Sequence, residues 1–312
     1  MNTNNAQWLA ERKTGIGGSD CGSIWNENKY KTCYQVWLEK TGQIIAPDIS
    51  DKLPVWFGKR AEPMILERFE IETGLKVTRN VDNEILKHPD CPFIIGTFDA
   101  EGVDPEGNKF IVETKETGDN SAKDWRDGDI PARHILQLYH YLLIGKHYGY
   151  KYGYLAVKIG NHDFKAIKIT LGELQEALML QRAKWFWNLV TTMTPPPIEY
   201  NNPATTEFIK SKFPMAQNEE IIPTDSQQLD KQVEEYKALH KQIEELKAQK
   251  EGIANMFRDF IGDHAGFQTA NYKVTNKNRS RDSFDDKKFK EKYPDIYPDF
   301  IKTTQYRQID IR

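Results

Sequence analysis

An α+β fold, with a mixed β-sheet flanked by helices, is the architecture this sequence predicts, on three observations. Residues 75–115 break into short β-prone runs (KVT, EIL, FIIGTF and KFIVETK) separated by Asn, Asp, Pro and Gly, which reads as a meander of three or four strands. A helical run precedes them, and another starts at Pro131, where Ile135, Leu138, Leu142 and Leu143 recur on one side. Two more β-prone runs, GYLAVKI and FKAIKIT, lead into an amphipathic helix from Leu171 to about Met193. Helix, strands, helix and strands in that order pack as one sheet covered by helices.

The N-terminal third reads as short helices around glycine turns. GIGGSD at 15–20 ends in a Ser/Asp pair suited to capping the helix that follows, and a second helix over Tyr34 to Lys40 stops at Gly42. After Pro54, the run GKRAEPMILERFEIETG spaces Ala61, Met64, Ile65, Phe69 and Ile71 roughly as a helix does, with Gly74 as its stop. That puts Glu62 near a helix N-terminus. The triple proline 195–197 ends the helix begun at Leu171, and the longest helical signal covers 225–261, where Leu229, Val233, Tyr236, Ile243 and Leu246 form one narrow apolar stripe. Such a helix docks on its own domain, pairs in a hairpin or joins subunits. A strand pair around FQTANYKVTNK and a basic, aromatic tail ending YRQIDIR complete the chain. The expected division is a core over 1–200 and a C-terminal extension over 201–312.

Composition narrows the class. Hydrophobic residues at 38%, charged residues at 29% and 15 Phe, 14 Tyr and 7 Trp fit a folded globular protein rather than a disordered one. The N-terminus has no apolar run of signal-peptide type and no stretch reaches bilayer-spanning length, so the expected location is cytoplasmic, with no membrane partner. Cys21, Cys33 and Cys91 form neither an even set nor a Cys-x-x-Cys pair, which argues against a disulfide framework and a zinc knuckle. A formal net charge of -3 supplies no overall attraction for a polyanion, so phosphate binding would need local clusters of Lys and Arg.

The sharpest motif is GTFDA at 96–100 followed by VETK at 112–115, each on or at the end of an expected strand. Residues two apart on a strand share a face, so Glu113 and Lys115 point the same way. If the Asp99 strand pairs with the Glu113 strand as a hairpin, the two carboxylates meet. Carboxylate oxygens plus a substrate phosphate suit a hard cation such as Mg²⁺. An acid, a gap and then acid-x-Lys on a strand is the signature of the PD-(D/E)XK nuclease superfamily. The competing reading is an amphipathic hairpin with Glu and Lys on its solvated face.

Six stretches, read in order, resemble the YqaJ-type viral recombinase family, related to the lambda exonuclease. They are WLAERKTGIGGSD (8–20), YKTCYQVWLEKTG (30–42), FGKRAEPMILERFEIETG (57–74), IGTFDA (95–100), IVETK (111–115) and IPARHILQLYHYLLIG (130–145). The resemblance implies a PD-(D/E)XK, restriction-endonuclease-like core with a helical C-terminal extension. It implies Asp99 and Glu113 as the main metal ligands, with Glu62 and the backbone carbonyl of Thr114 adding oxygens. It also implies Lys115 as the catalytic lysine and Gln137 as a contact to water or phosphate beside the site. Arg12 and Ser19 match the residues that bind a 5′ phosphate. Tyr139 stands where a second glutamine is usual in the family.

The activity so implied is that of a phage-type alkaline exonuclease, using Mg²⁺ with Mn²⁺ as a substitute. It would degrade one strand of linear double-stranded DNA from its 5′ end and leave 3′ single-stranded overhangs for recombination. The implied partners are duplex DNA ends, a single-strand annealing protein and further copies of the chain, as a ring-shaped homo-oligomer such as a trimer. A ring would let basic residues line a channel while the total charge stays negative. The alternatives are an endonuclease or single-strand nuclease of the same fold, or a non-catalytic DNA-binding scaffold. Trp56 and Phe57, before the Glu62 helix, read either as core or as a wedge at the strand ends. His134, His140 and His147 lie at helical positions without matching zinc ligands.

Overall fold

The computed structural model describes residues 11–311 except 47, 83, 126–128 and 219, and the chain divides into two compact units, Met1–Lys212 and Phe213–Arg312. In chain order the first unit contains α1 (Gly18–Ile24), α2 (Cys33–Lys40), α3 (Leu53–Thr73), β1 (Val77–Arg79), β2 (Leu86–His88), β3 (Cys91–Gly96), β4 (Ala100–Val103) and β5 (Lys109–Thr117). Then follow α4 (Ala132–Gly145), β6 (Tyr150–Ile159), β7 (Asp163–Ile169), α5 (Glu173–Thr191) and α6 (Pro203–Lys212). The segment 201–212, expected in the extension, therefore belongs to the first unit. Asn202 ties it there, donating from Nδ2 to Asn26 Oδ1 at 2.9 Å and to the Asn28 carbonyl at 3.1 Å.

Five strands form a mixed sheet in the order β1-β4-β5-β6-β7, with β5 and β6 parallel and the other pairs antiparallel. The strands of 75–115 do not make one meander. β2 and β3 pair in a separate hairpin, which Ile16 joins through Ile16 N–H to Phe93 O at 2.6 Å and Ile95 N–H to Ile16 O at 3.0 Å.

Strand β5 shows how the sheet is covered on both faces. Phe110 and Val112 pack with Ala61, Ile65, Leu66 and Phe69 of α3, whereas Ile111 packs with Leu138, Tyr141 and Leu142 of α4. This is the period of two of a strand buried on both sides. Each large side chain so buried stabilises the fold by roughly 1.5–3 kcal/mol. A third cluster joins α1, α2 and α5 to β3 and the end of α4, through Ile24, Val36, Trp37, Ile94, Leu143 and Phe186.

Local signals set the helix ends, in two places differently from the expectation. Ser19 and Asp20 sit inside the first turn of α1 and do not precede it; Gly17 is the N-cap, and its N–H donates to Asp20 Oδ2 at 3.0 Å. Helix α3 begins at Leu53, with Pro54 in its first turn, where a missing N–H costs nothing. Glu62 therefore lies mid-helix rather than near the N-terminus, and the helix runs on through Pro63 to Gly74 at φ 70°.

The second unit contains α7 (Gln227–Ile261), the hairpin β8 (Gly266–Gln268) and β9 (Lys273–Thr275), and α8 (Asp286–Lys292). Along α7 only Ile261 is buried. Its stripe is longer than expected: Tyr236, Leu239, Ile243, Leu246 and Ile253 step by three, four or seven residues, and all are exposed. No described helix is long and apolar enough to cross a membrane.

Candidate active site

The site is built where β4 leaves its turn beside the middle of β5. Ala100 pairs with Val112, so Asp99, one residue earlier, arrives opposite Glu113. Its backbone is pinned from β1's end, where Asn80 N–H donates to Asp99 O at 2.9 Å and Asn80 Nδ2 donates to Phe98 O at 3.1 Å. Its carboxylate is held by Thr114, whose backbone N–H and Oγ1 hydroxyl both donate to Asp99 Oδ2 at 2.8 Å. Thr114, expected to offer a carbonyl, thus also orients the acid next to it.

Glu113 is buried, at 3% exposure. Its Oε1 accepts from Lys115 Nζ and from Gln137 Nε2, the latter at 2.7 Å, while the buried Oε2 has no hydrogen-bond partner. Gln137 comes from α4, the helix over the face that carries Ile111, so Glu113 and Lys115 share that face as the strand period demands. Burial first, then the nearby charges of Asp99 and Glu62, push the Glu113 carboxyl up to about 8 against the pull of Lys115. Glu62 is raised too, by burial and by Asp99, although Arg79 draws it the other way. Three acids from α3, the β4 turn and β5 therefore act on one another through their charges.

They do not close equally. Glu62 Oε1 accepts from Arg79 Nε at 2.6 Å, a partner on β1 that no sequence pattern marked. Among the described residues, the trio is not a cluster whose ligand atoms all lie within 4.8 Å.

Gln137 also donates to the Tyr141 hydroxyl at 3.0 Å, and Tyr141, one helical turn on, links the acids to the glycine turn. The approach requires Gly18, because a Cβ there would stand 2.4 Å from the buried Tyr141 ring. Next to Gly18, Arg12 Nη2 donates to Ser19 Oγ at 2.7 Å, so the two residues expected at a 5′ phosphate are together. Behind them Lys40 Nζ meets buried Asp20 Oδ2 at 2.8 Å and donates to Arg12 O at 2.8 Å. Burial raises the Asp20 carboxyl, but Lys40 and Arg12 outweigh it and bring it down to about 2.

The other marked residues divide. Tyr139 packs against the α1–α2–α5 cluster and belongs to the core rather than the site. Trp56 and Phe57 lie within the first two turns of α3, partly exposed, ring on edge at 5.0 Å, with Arg60 stacked 3.6 Å over the Trp56 ring. His134 stacks on Trp125, and burial together with the Lys115 charge holds it down to about 2. His140 is buried with Nε2 2.8 Å from Ile95 O. His147 is different: it meets His88.

The orphaned Glu113 Oε2, facing like charges in a buried place, fits a divalent cation better than it fits an empty polar pocket. A titration follows from the geometry. The unfolded Glu113 loses its proton near pH 4.5 and the folded one near pH 8. Its contribution to stability is then fully present below pH 4.5 and is lost as pH rises through 8. In EDTA, wild type should lose thermal stability relative to Glu113→Gln between pH 5 and 8.5. Parallel unfolding curves for the two proteins across that range would contradict the assignment.

Comparison with known proteins agrees with the motif order. The sequence pattern that defines the YqaJ-like viral recombinase domain matches residues 7–147. The protein YqaJ of Bacillus subtilis (strain 168) is 31% identical over 307 residues, covering 98% of this chain and 93% of its own. Among solved structures, the alkaline exonuclease LHK-Exo from Laribacter hongkongensis is similar at 13% identity and TM-score 0.47, over 66% of this chain and 97% of that one. A phage-related exonuclease from Haemophilus somnus 129PT is similar at 12% identity and TM-score 0.41, over 57% and 96%. The assignment stands on the sequence relationship, which runs nearly end to end: the chain is a member of the YqaJ-like viral recombinase family.

Proposed function

We propose that this chain is a metal-dependent 5′-to-3′ exonuclease that hydrolyses one strand of linear double-stranded DNA and leaves 3′ overhangs for recombination. The observation that carries the reading is buried Glu113, gripped at one oxygen by Lys115 and Gln137 and unpartnered at the other, opposite Asp99. Asp99, Glu113, Glu62 and the Thr114 carbonyl would hold Mg²⁺ or Mn²⁺. When bound, the cation supplies a Lewis acid that stabilises charge on the scissile phosphate.

The chain's own groups do the rest. Lys115, exchanging its contact with Glu113 for the attacking water, orients that water and stabilises the negative charge that develops on it. Gln137 fixes the carboxylate and ties it to Tyr141. Arg12 and Ser19 receive the 5′ phosphate, for which a guanidinium fork and a hydroxyl are suited donors. Glu62 is released from Arg79 as the substrate enters. Trp56 and Phe57, exposed at the start of the Glu62 helix, would wedge between strand ends. Supplied with Mg²⁺, the protein should digest 5′-phosphorylated linear duplex and leave a covalently closed circle of the same sequence intact. Cleavage of the circle at a comparable rate would replace this reading with an endonuclease of the same fold.

The proposed partners are duplex ends, a single-strand annealing protein and further copies of the chain in a ring such as a trimer. Copies would join through α7, whose exposed stripe has the three-and-four spacing of a helix that packs on another. The double substitution Leu239→Glu and Leu246→Glu, both at surface positions, should leave the fold intact and lower the mass measured by light scattering. An unchanged oligomer mass would remove α7 from the assembly.

A further inference from the structure

At the far end of α4 a second group of side chains carries a different chemistry. His88 ends β2, Asp90 stands in the turn to β3, and His147 follows α4 in a 3-10 turn (Lys146–Tyr148). One ligand atom from each lies within 4.8 Å of the others. The Nε2 atoms of His88 and His147 are 3.2 Å apart, with ring centroids at 4.4 Å and planes at 65°. Two imidazole nitrogens bound to one tetrahedral Zn²⁺ at about 2.0–2.1 Å each stand about 3.3 Å apart, so the observed spacing is that of two ligands on one ion. Two imidazoles and a carboxylate are a borderline-soft donor set, suited to Zn²⁺ and its transition-metal neighbours rather than to Mg²⁺.

The surroundings suit a cation. His88 is buried at 4% exposure, which fixes one ligand, while His147 and Asp90 are exposed and leave a path for entry. The adjacent ammonium of Lys146 is paired with Glu176 and so does not oppose a dication unscreened. The group is separate from the carboxylate pocket: His147 follows Gln137 by ten residues, about 15 Å at the helical rise.

We propose that His88, Asp90 and His147 form a second metal site, selective for Zn²⁺ or a similar transition dication, that staples the β2–β3 hairpin to the end of α4. Three protein ligands leave the fourth position to water. Without metal, the Asp90 N–H donates to His88 Nδ1 at 3.2 Å, so the neutral ring carries its proton on Nε2 and donates it to His147 Nε2. Coordination moves that proton to Nδ1, with no net proton released from the pair, and the Asp90 amide gives up its contact. A plain His–His hydrogen bond and a metal staple are thus the two alternatives, and they differ in zinc uptake.

The test is equilibrium dialysis of the full chain against Zn²⁺ followed by metal analysis, in wild type, His147→Ala, and both again with Asp99→Asn and Glu113→Gln to disable the carboxylate pocket. One equivalent should persist in the pocket-disabled protein and bind at least tenfold more weakly once His147 is Ala. Zn²⁺ should raise the unfolding temperature of the first and not of the second. His147→Ala alone should keep Mg²⁺-dependent DNA cleavage, which separates this site from the proposed nuclease centre. Should the pocket-disabled protein not fold, the difference of one equivalent between wild type and His147→Ala carries the same information. No zinc retained, or equal retention with and without His147, would overturn the proposal.

Discussion

Lys115→Ala is expected to slow cleavage of end-labelled linear duplex by about 10²–10⁴-fold while leaving folding and DNA binding nearly unchanged. Among the described residues Lys115 is the ammonium that contacts Glu113, and its side chain is 20% exposed, so it can reach both the acid and an incoming water. Removing a buried partner ordinarily leaves an unpaired charge at a cost of about 3–5 kcal/mol. That cost does not arise here without metal, because Glu113, pushed up to about 8, takes a proton at neutral pH, and Gln137 still holds the same oxygen. Single-turnover kinetics and a binding titration on one labelled duplex separate the two effects. Equal rates for wild type and Lys115→Ala would remove the lysine from the chemistry.

Asp99→Asn is expected to cost at least about 10³-fold in rate, because it removes an oxygen of the proposed metal site while preserving shape. The amide can still accept from Thr114 N–H and Oγ1, so the turn before β4 should persist. One like charge beside Glu113 also disappears, which relieves repulsion in the metal-free protein. A stable, inactive protein is therefore the expected result, and lost activity accompanied by lost stability would point instead to a structural role.

The elements that position this site were largely legible, because each has a local pattern. The alternation in KFIVETK places Glu113 and Lys115 on one face, and the β4–β5 pairing on which the meeting of Asp99 and Glu113 was conditional is present. ARHILQLYHYLLIG shows its apolar side directly, and so carries Gln137 to that face. What was not legible depends on contacts between distant segments. Arg79 reaches Glu62 from a three-residue strand, and no periodicity marks that pair. Tyr141 reads as one more aromatic of α4 until Gly18 is seen to make room for it. His88 and His147 are 59 residues apart, so no spacing rule joins them. Helix α3 starts earlier than the apolar spacing after Pro54 indicates, because proline is also at home in a helix's first turn. The β2–β3 hairpin reads as part of one meander because β-prone runs alone do not show which strands share a sheet.

The central claim is that Asp99 and Glu113 together seat the divalent cation that cleavage requires, and a Mg²⁺ titration of nucleotide release from 5′-labelled linear duplex tests it most directly. Wild type should be silent in EDTA and saturate with Mg²⁺, while Asp99→Asn should stay silent at every concentration. Wild-type saturation by Asp99→Asn, or release by the wild type in EDTA, would contradict the claim.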